Sequence, residues 1–344
     1  MNEFYRRTFL KLMAGTAGAM GMPAMLPAAF AANTELLEQA KSEGQVVFYA
    51  NITAVEPIME AFAKATTINA EYTRISSSKF IPTILTEAGA GKLLADAVQA
   101  PRPMIEILGQ NEVLEAYRSP SAEGYPDWAV EKDTMTHFGI EYVSYLYNTD
   151  LVKQSDVPAK YEDLADPKWK GKIVMANPGI HASTIGWLVA LKEEVFQSEA
   201  DWREFLKGLA ANEPMFVESF GPTPAPIASG ERVIGISMPK YITTKAPAPL
   251  GWGPVAGPLF GTARTIALTA SAPRPAAAKV FIDYWLSKEA MEILANEVGE
   301  YVLAPGVYPK IEGIDKVEVK PVRDLSDDEL KTWGREFADI FAVQ

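Results

Sequence analysis

The amino-acid sequence predicts an α/β protein of two lobes, each of them a β-sheet flanked by helices. Short apolar runs of strand length alternate with segments of helical periodicity over the first hundred residues, which indicates a parallel sheet covered by helices on both faces. The alternation starts again near residue 172, after a connection rich in proline and aspartate. The length of 344 residues is enough for two domains of ordinary size.

The first α/β unit opens with a short helix over residues 36–40, which Gly44 ends as a C′ residue. Continuous or alternating apolar runs predict its three strands, at residues 45–50, 71–75 and 95–100. Helical spacing predicts the intervening helices, one over 55–62 and one over 80–85 that Ser78 caps.

The second unit follows a β-branched and aromatic strand at residues 140–147. Its further predicted elements are strand 172–176, helices 183–193 and 199–211, strand 231–237, a Pro- and Gly-rich loop segment at 246–261, strand 265–269 and one long helix over 275–298.

The N-terminal segment has the pattern of an export signal. Arg6 and Arg7 precede an uncharged Ala/Gly/Met/Leu run that ends in Ala29-Phe30-Ala31, a small-x-small cleavage site. The adjacent arginines resemble the twin-arginine leader, whose machinery exports folded proteins. A membrane anchor is the alternative, but glycines and prolines dilute the apolar run of a spanning helix. We expect residues 1–31 to be a cleaved leader and the mature protein to be periplasmic.

Composition excludes several classes of function. The chain has no cysteine, which excludes disulfides, thiolate catalysis, Cys-based metal sites and the lipid-modified cysteine of a lipoprotein. Its two histidines, His137 and His181, leave little room for histidine-based catalysis. The formal net charge of −12 becomes −14 when the three cations and one carboxylate of residues 1–31 are removed. Such acidity argues against nucleic acid or an anionic membrane as partner.

Six stretches of the chain carry a resemblance to a known family. They are 43–50 (EGQVVFYA), 87–96, 147–150 (YNTD), 161–174 (YEDLADPKWKGKIV), 229–236 (SGERVIGI) and 281–289 (FIDYWLSKE). Taken together and in order, they resemble the solute-binding proteins of bacterial ABC importers, in the branch (extracellular solute-binding family 1) with ferric-iron, phosphonate, thiamine and sugar-phosphate binders.

This resemblance implies a periplasmic binding protein fold of type II, with two hinge-crossing strands near residues 138–144 and 262–270 and a ligand cleft that closes about the hinge. It places the first lobe at residues 32–138 plus 265–344 and the second at 139–264. It also implies a monomer, a small-molecule solute, and permease and ATPase subunits at the inner membrane as partners.

A cofactor-dependent periplasmic enzyme is the alternative class, because twin-arginine leaders often serve such enzymes. The sequence has neither a Gly-x-Ser-x-Gly elbow nor a His-Glu-x-x-His motif. Gly89, Gly91 and Lys92 suggest a phosphate loop, but Leu93 stands where a hydroxyl must hold magnesium. We therefore predict no enzyme activity and no cofactor.

Ligands of open α/β sheets bind beyond the carboxyl ends of the strands, where helix N-termini offer N–H groups. The same polar residues are also common as caps and turns, whatever the function. The candidates at these strand ends are Asn51, Thr53, Ser76, Ser77, Ser78, Arg102, His181, Ser183, Thr184, Lys240 and Tyr241.

The candidate residues favour an anionic solute over iron. Ferric binders of the resembled family typically use adjacent tyrosines after the second-lobe strand, whereas this chain has the single Tyr241 beside Lys240. An ammonium favours an anion and opposes Fe³⁺. We predict a small organic or phosphoryl anion held by hydroxyls, helix N-termini and one or two of Lys240, Arg102 and Arg74, with no metal. A ferric or iron-chelate binder that uses Tyr241 is the alternative.

Overall fold

The computed structural model describes residues 33–343 and confirms the predicted α/β class. The predicted leader, residues 1–31, lies outside the described residues. The chain begins with α1 (Thr34–Glu43), β1 (Gln45–Ala50), α2 (Glu56–Thr66), β2 (Asn69–Arg74), α3 (Ser77–Gly89), β3 (Ala97–Pro101) and α4 (Arg102–Gln110).

The middle of the chain holds the long strand β6 and a second run of strands and helices. Its elements are β4 (Leu114–Glu115), β5 (Val130–Glu131), β6 (Met135–Asn148), β7 (Ile173–Ala176), α5 (Ala182–Glu194), α6 (Glu199–Ala211), β8 (Met215–Val217), α7 (Pro224–Ala228), β9 (Ile234–Ser237), α8 (Tyr241–Thr244) and β10 (Leu250–Gly251). The chain then continues with β11 (Leu259–Thr269), α9 (Pro275–Trp285), α10 (Lys288–Ile293), β12 (Tyr301–Val302), β13 (Val319–Pro321) and α11 (Asp327–Phe341).

Strand β6 is shared by two sheets. The first sheet runs β2-β1-β3-β11-β6 and the second runs β6-β9-β7-β8. Residues of β6 up to Val143 pair with β11, and those from Ser144 onward pair with β9. We call the first sheet with α1–α4, α9 and α10 the first lobe, and the second sheet with α5–α8 and α11 the second lobe.

Strand β1 shows why the first sheet is covered on both faces. Val47 and Tyr49 belong to the cluster that includes Phe80 of α3 and Ile105 of α4. Phe48 points the other way, where its ring lies 4.9 Å from that of Phe281 in α9. Because successive side chains of a strand face opposite sides, a strand covered by helices on both faces is apolar throughout.

The C-terminal helix α11 packs on the second lobe. The ring of Trp333 lies 5.7 Å from that of Trp202 in α6, and Gly334 comes so close to Gly179 that an added Cβ would lie 2.6 Å from the Gly179 carbonyl oxygen. The predicted boundaries, with residues 265–344 in the first lobe, stay a prediction, and these contacts favour assigning α11 to the second lobe.

Two local predictions were wrong. The helix predicted over 275–298 is interrupted, because Ser287 caps α10 by accepting a hydrogen bond from the Ala290 N–H at 3.3 Å. Helix α3 begins after Ser76, two residues earlier than a cap at Ser78 requires. Within residues 33–343, no helix combines the length and the apolarity that crossing a membrane requires.

Candidate functional site

A cavity of about 490 Å³ lies between the two lobes. The first lobe lines it with the loop after β1 and the N-termini of α3 and α4, and the second lobe with the N-terminus of α5 and residues 219–221. Glu141 of β6 and Thr262 of β11 line it from the crossing strands. Residues 322–330, which we call the strap, run from the end of β13 into the first turn of α11 and also contribute to the lining. The cavity thus meets the carboxyl ends of β1 and β3, where the strand-end rule expects a ligand.

Asn51 and Ser77 form the first-lobe wall of the cavity. The Asn51 side-chain amide donates to the Ser77 hydroxyl at 3.1 Å and to the Ile75 carbonyl at 3.3 Å. The Asn51 N–H donates to the Gln99 carbonyl at 2.9 Å, which fixes the loop to the end of β3. Because the Ser77 oxygen accepts from Asn51, its own proton can be donated to a molecule in the cavity.

His181 and Ser183 form the facing wall at the N-terminus of α5. His181 Nδ1 lies 2.9 Å from the Thr184 hydroxyl, and its ring stands edge-on to Phe220 at 4.8 Å. Burial lowers the pKa of His181 below 6.5, although Glu141 opposes the shift, so the ring is neutral at pH 7. The N–H groups of Thr184 and Ile185 both donate to the His181 carbonyl at 3.0 Å, and the start of a helix carries partial positive charge.

Lys240 belongs to a buried quartet of charges beside the cavity. Its ammonium lies 3.0 Å from Glu141 and 3.1 Å from Glu300. Arg264 contacts the same two carboxylates, at 2.6 Å and 3.3 Å. Burial alone would raise the pKa of Glu141, but Arg264 and Lys240 lower it to about 2. Since Glu141 lines the cavity and Lys240 does not, these contacts argue against Lys240 as a direct ligand of an anion.

Arg102 is likewise held by carboxylates. Its guanidinium binds Glu131 through two nitrogens at 2.9 and 3.0 Å, contacts Glu106 at 3.2 Å, and forms an ion pair with Asp324 of the strap. Arg102 does not line the cavity. Its positive charge is therefore already paired with neighbouring carboxylates. These contacts disfavour Arg102 as an anion ligand, and that predicted role stays a prediction.

The other candidates lie around the cavity. Thr53 is exposed, and Thr184 is buried against His181. Ser76 is the N-cap of α3, and the side chain of Ser78 lies outside what the structure describes. Tyr241 is half-buried at the start of α8, where burial raises its pKa, which opposes a phenolate ligand.

The strap is the part of the site that the sequence-based prediction missed. It contributes Arg323, Asp324 and Asp327 to the cavity lining. Arg323 is paired with Glu193 at 3.1 Å and with Glu329 at 2.9 Å. A signal for this region exists in the sequence, because a reciprocal capping box opens α11 at Ser326.

The cavity has few features of a metal site. Among residues 33–343, no three His, Cys, Asp or Glu side chains are grouped so that they could hold a metal ion. The charged side chains that line the cavity are Arg323 and the three carboxylates of Glu141, Asp324 and Asp327. An anion in this cavity would therefore rely on N–H and O–H donors rather than on free cations.

Comparisons with known proteins agree with this architecture. The putative 2-aminoethylphosphonate-binding periplasmic protein of Salmonella typhimurium is 27% identical over 120 residues, 35% of this chain and 34% of that protein. The chain thus matches only about a third of the length of that relative. An uncharacterized protein of Haemophilus influenzae is 26% identical over 296 residues, 77% of this chain and 80% of that protein.

Solved structures share the fold at low sequence identity. The substrate-binding protein of an ABC transporter from Agrobacterium tumefaciens has a TM-score of 0.71 at 16% identity, over 88% of this chain and 96% of that one. Iron-bound HitA from Pseudomonas aeruginosa has a TM-score of 0.66 at 16% identity, over 87% and 98%. AfuA from Actinobacillus pleuropneumoniae, with fructose-6-phosphate bound, has a TM-score of 0.63 at 21% identity, over 87% and 97%.

These likenesses confirm the predicted periplasmic binding protein fold. The model of the bacterial extracellular solute-binding proteins matches residues 57–321, which is most of the chain. That class binds solutes rather than transforming them, in agreement with the prediction of no enzyme activity. The chain belongs to the bacterial extracellular solute-binding protein family.

Proposed function

We propose that the protein is the substrate-binding component of an ABC importer and captures a small organic or phosphoryl anion between its lobes. The observation that carries this proposal is the pairing of two donor-rich walls across one cavity, with Asn51 and Ser77 facing His181 and Ser183. A volume of about 490 Å³ fits a small organic molecule.

The cavity offers uncharged N–H and O–H donors, which can bind an anion. The N-terminus of α5 presents backbone N–H groups and the positive end of the helix dipole. The hydroxyls of Ser77 and Ser183 supply further donors, and neutral His181 can donate from one ring nitrogen. The names of the relatives support this class, because one is a putative phosphonate binder and another was solved with a sugar phosphate.

Iron is the competing ligand, since HitA shares the fold with iron bound. Tyr241 is the predicted iron ligand of that alternative, but it does not line the cavity and its pKa is raised by burial. The anion is therefore the better-supported ligand class.

The test is ligand identification followed by titration. Native mass spectrometry of the freshly purified protein should show a bound small molecule, and calorimetry on stripped protein should then rank 2-aminoethylphosphonate, fructose-6-phosphate, inorganic phosphate and ferric citrate. We expect an anion to bind stoichiometrically. A tight, coloured, stoichiometric iron complex would contradict the anion class, and no binding by any small molecule would contradict solute capture.

Ser77→Ala and Ser183→Ala test the two walls. Each is expected to weaken anion binding roughly tenfold, because each removes one hydrogen bond to a charged group. Thr53→Ala is the matched control, since Thr53 is exposed and outside the cavity lining. Equal effects of all three substitutions would show that the walls do not contact the solute.

Export and transport partners belong to the same proposal. We propose a monomer in the periplasm, released by cleavage after Ala31 of a twin-arginine leader, that delivers solute to a permease and its ATPase. N-terminal sequencing of the exported protein should begin at Ala32, and Arg6→Lys/Arg7→Lys should block export. Unchanged export of the double variant would exclude the twin-arginine route.

A further inference from the structure

The strap starts at the crossing strands, where the Val322 N–H donates to the Gly261 carbonyl of β11 at 2.8 Å, and from Arg323 onward it is anchored on the second lobe. Arg323 pairs with Glu193 of α5, and the strap leads directly into α11, which packs on α5 and α6 through Trp333 and Gly334. Lys192 of α5 adds a cation 4.8 Å from the Trp333 ring. The part of the strap that follows Val322, including Asp324, is therefore held to the second lobe.

Arg102 is anchored just as firmly on the first lobe. It is the first residue of α4, and two nitrogens of its guanidinium donate hydrogen bonds to Glu131 of β5. Glu106, one helical turn on, fixes a third nitrogen at 3.2 Å. Such bidentate geometry gives the guanidinium a defined position.

Asp324 joins these two anchored groups across the cavity. Its carboxylate forms an ion pair with Arg102, and Asp324 also lines the cavity. A rotation that parts the Asn51 wall from the His181 wall also parts Asp324 from Arg102, because each partner is fixed to a different lobe.

We propose that Arg102 and Asp324 form a latch that holds the two lobes together, whether or not solute is bound. The inference rests on the lobe closure of the proposed function, but it concerns the solute-free protein. When the latch opens, Asp324 meets water while Arg102 keeps Glu131 and Glu106, so opening leaves no buried charge unpaired. The side chains of Arg102 and Asp324 are 26% and 25% exposed, so salt should weaken the latch.

The latch also sets solute retention. If only closed lobes hold solute, the observed affinity scales with the closed fraction. Loss of the latch should therefore speed solute release, with the change in the dissociation rate exceeding the change in the association rate.

The test measures the lobe separation directly and uses no solute. The chain has no cysteine, so Lys79→Cys in α3 and Lys207→Cys in α6 accept two spin labels at exposed positions of the two lobes. Pulsed electron–electron distance measurements on stripped protein compare the parent with Asp324→Asn. We expect Asp324→Asn to raise the ratio of long to short distances roughly twofold to fivefold at low salt.

Two controls separate the latch from other causes. Asp327→Asn removes a cavity-lining carboxylate of the same strap, and Glu106→Gln removes a partner of Arg102 within its own lobe; both should leave the distances unchanged. Raising sodium chloride to 1 M should shift the parent toward long distances and leave Asp324→Asn as it is. Identical distributions for the parent and Asp324→Asn at low salt, or an equal shift in Asp327→Asn, would overturn the latch, and neither result depends on whether the protein binds an anion.

Discussion

Asp283 provides a test of how burial acts on a carboxyl group in the first lobe. It lies in α9, is 5% exposed, and accepts hydrogen bonds from the Ser119 hydroxyl at 2.6 Å and the Tyr117 hydroxyl at 2.8 Å. Burial raises the pKa of Asp283 to about 6, although both hydrogen bonds oppose the shift. The folded protein therefore keeps a proton on this group that the unfolded chain releases near pH 3.8.

The sign of the effect follows from the protons bound in each state. Between about pH 3.8 and pH 6 the folded state binds more protons, so the free energy of unfolding falls as the pH rises through this window. A difference of about two pKa units corresponds to about 3 kcal/mol. The side-chain oxygen of the asparagine in Asp283→Asn can accept the same hydrogen bonds and does not titrate. The free energy of unfolding of this variant should therefore not fall through this pH window.

His137 acts in the opposite direction over nearly the same window. It is 2% exposed, and burial lowers its pKa from 6.5 to about 4, although Glu131 opposes the shift. The folded state therefore binds fewer protons than the unfolded state, and the free energy of unfolding rises with pH between about 4 and 6.5. In the parent these two slopes oppose each other, and Asp283→Asn should uncover the rise that His137 causes.

The assay is urea unfolding followed by tryptophan fluorescence at pH 4 and pH 7.5. The stability of Asp283→Asn relative to the parent should increase by about 2–3 kcal/mol between the two pH values. Asp127→Asn, at an exposed carboxylate, is the control and should show no such change. A constant difference between Asp283→Asn and the parent at both pH values would contradict the raised pKa of Asp283.

Two further predictions concern packing and buried charge. Gly334→Ala should destabilise the protein by about 1–3 kcal/mol, because its Cβ would meet the Gly179 carbonyl oxygen at 2.6 Å; Gly89→Ala, with open space around the new methyl group, is the control, and equal melting temperatures for the two variants would contradict the prediction. Glu300→Gln should lower the free energy of unfolding by about 3–5 kcal/mol, because it leaves the buried Lys240 and Arg264 with one carboxylate fewer; chemical denaturation checks this, and a loss below about 1 kcal/mol would show that the quartet tolerates an unbalanced charge.

Elements with local signals at both ends could be predicted from the sequence. Strand β1 has its predicted bounds, 45–50, because Gly44 ends the preceding helix in the left-handed region at φ 77° and the following run is apolar. Helix α6 has its predicted bounds, 199–211, because Ser198 caps it. The break between α9 and α10 escaped prediction, since buried residues continue on both sides and hide the change of direction.

Part of the candidate site could likewise be predicted from the sequence, and part could not. The strand-end rule places Asn51, Ser77, His181 and Ser183 at the cavity, because it depends only on topology. The partners of the predicted cations could not be predicted from the neighbouring sequence. Lys240 is 60 residues from Glu300 in sequence, and the partner of Arg102 in the strap is more distant still, so only the folded structure shows that these charges are already paired.

The strap was missed for a different reason. Its sequence does carry a signal, since Ser326 and Glu329 form a capping box and apolar residues recur at helical spacing through α11. What the pattern does not indicate is that the helix docks on the second lobe and that Arg323, Asp324 and Asp327 line the cavity.

The place of β11 in the first sheet has a consequence for how the chain is made. This strand is formed by residues 259–269, yet it lies between β3 and β6 at the centre of the sheet. A chain growing on the ribosome therefore cannot complete its first lobe until more than two hundred residues after β1 have been synthesised. Contacts so distant in sequence slow folding, and β3 lacks one of its two neighbouring strands until β11 has been made. A chain of this topology stays available to chaperones for most of its synthesis, and its first lobe can form only late.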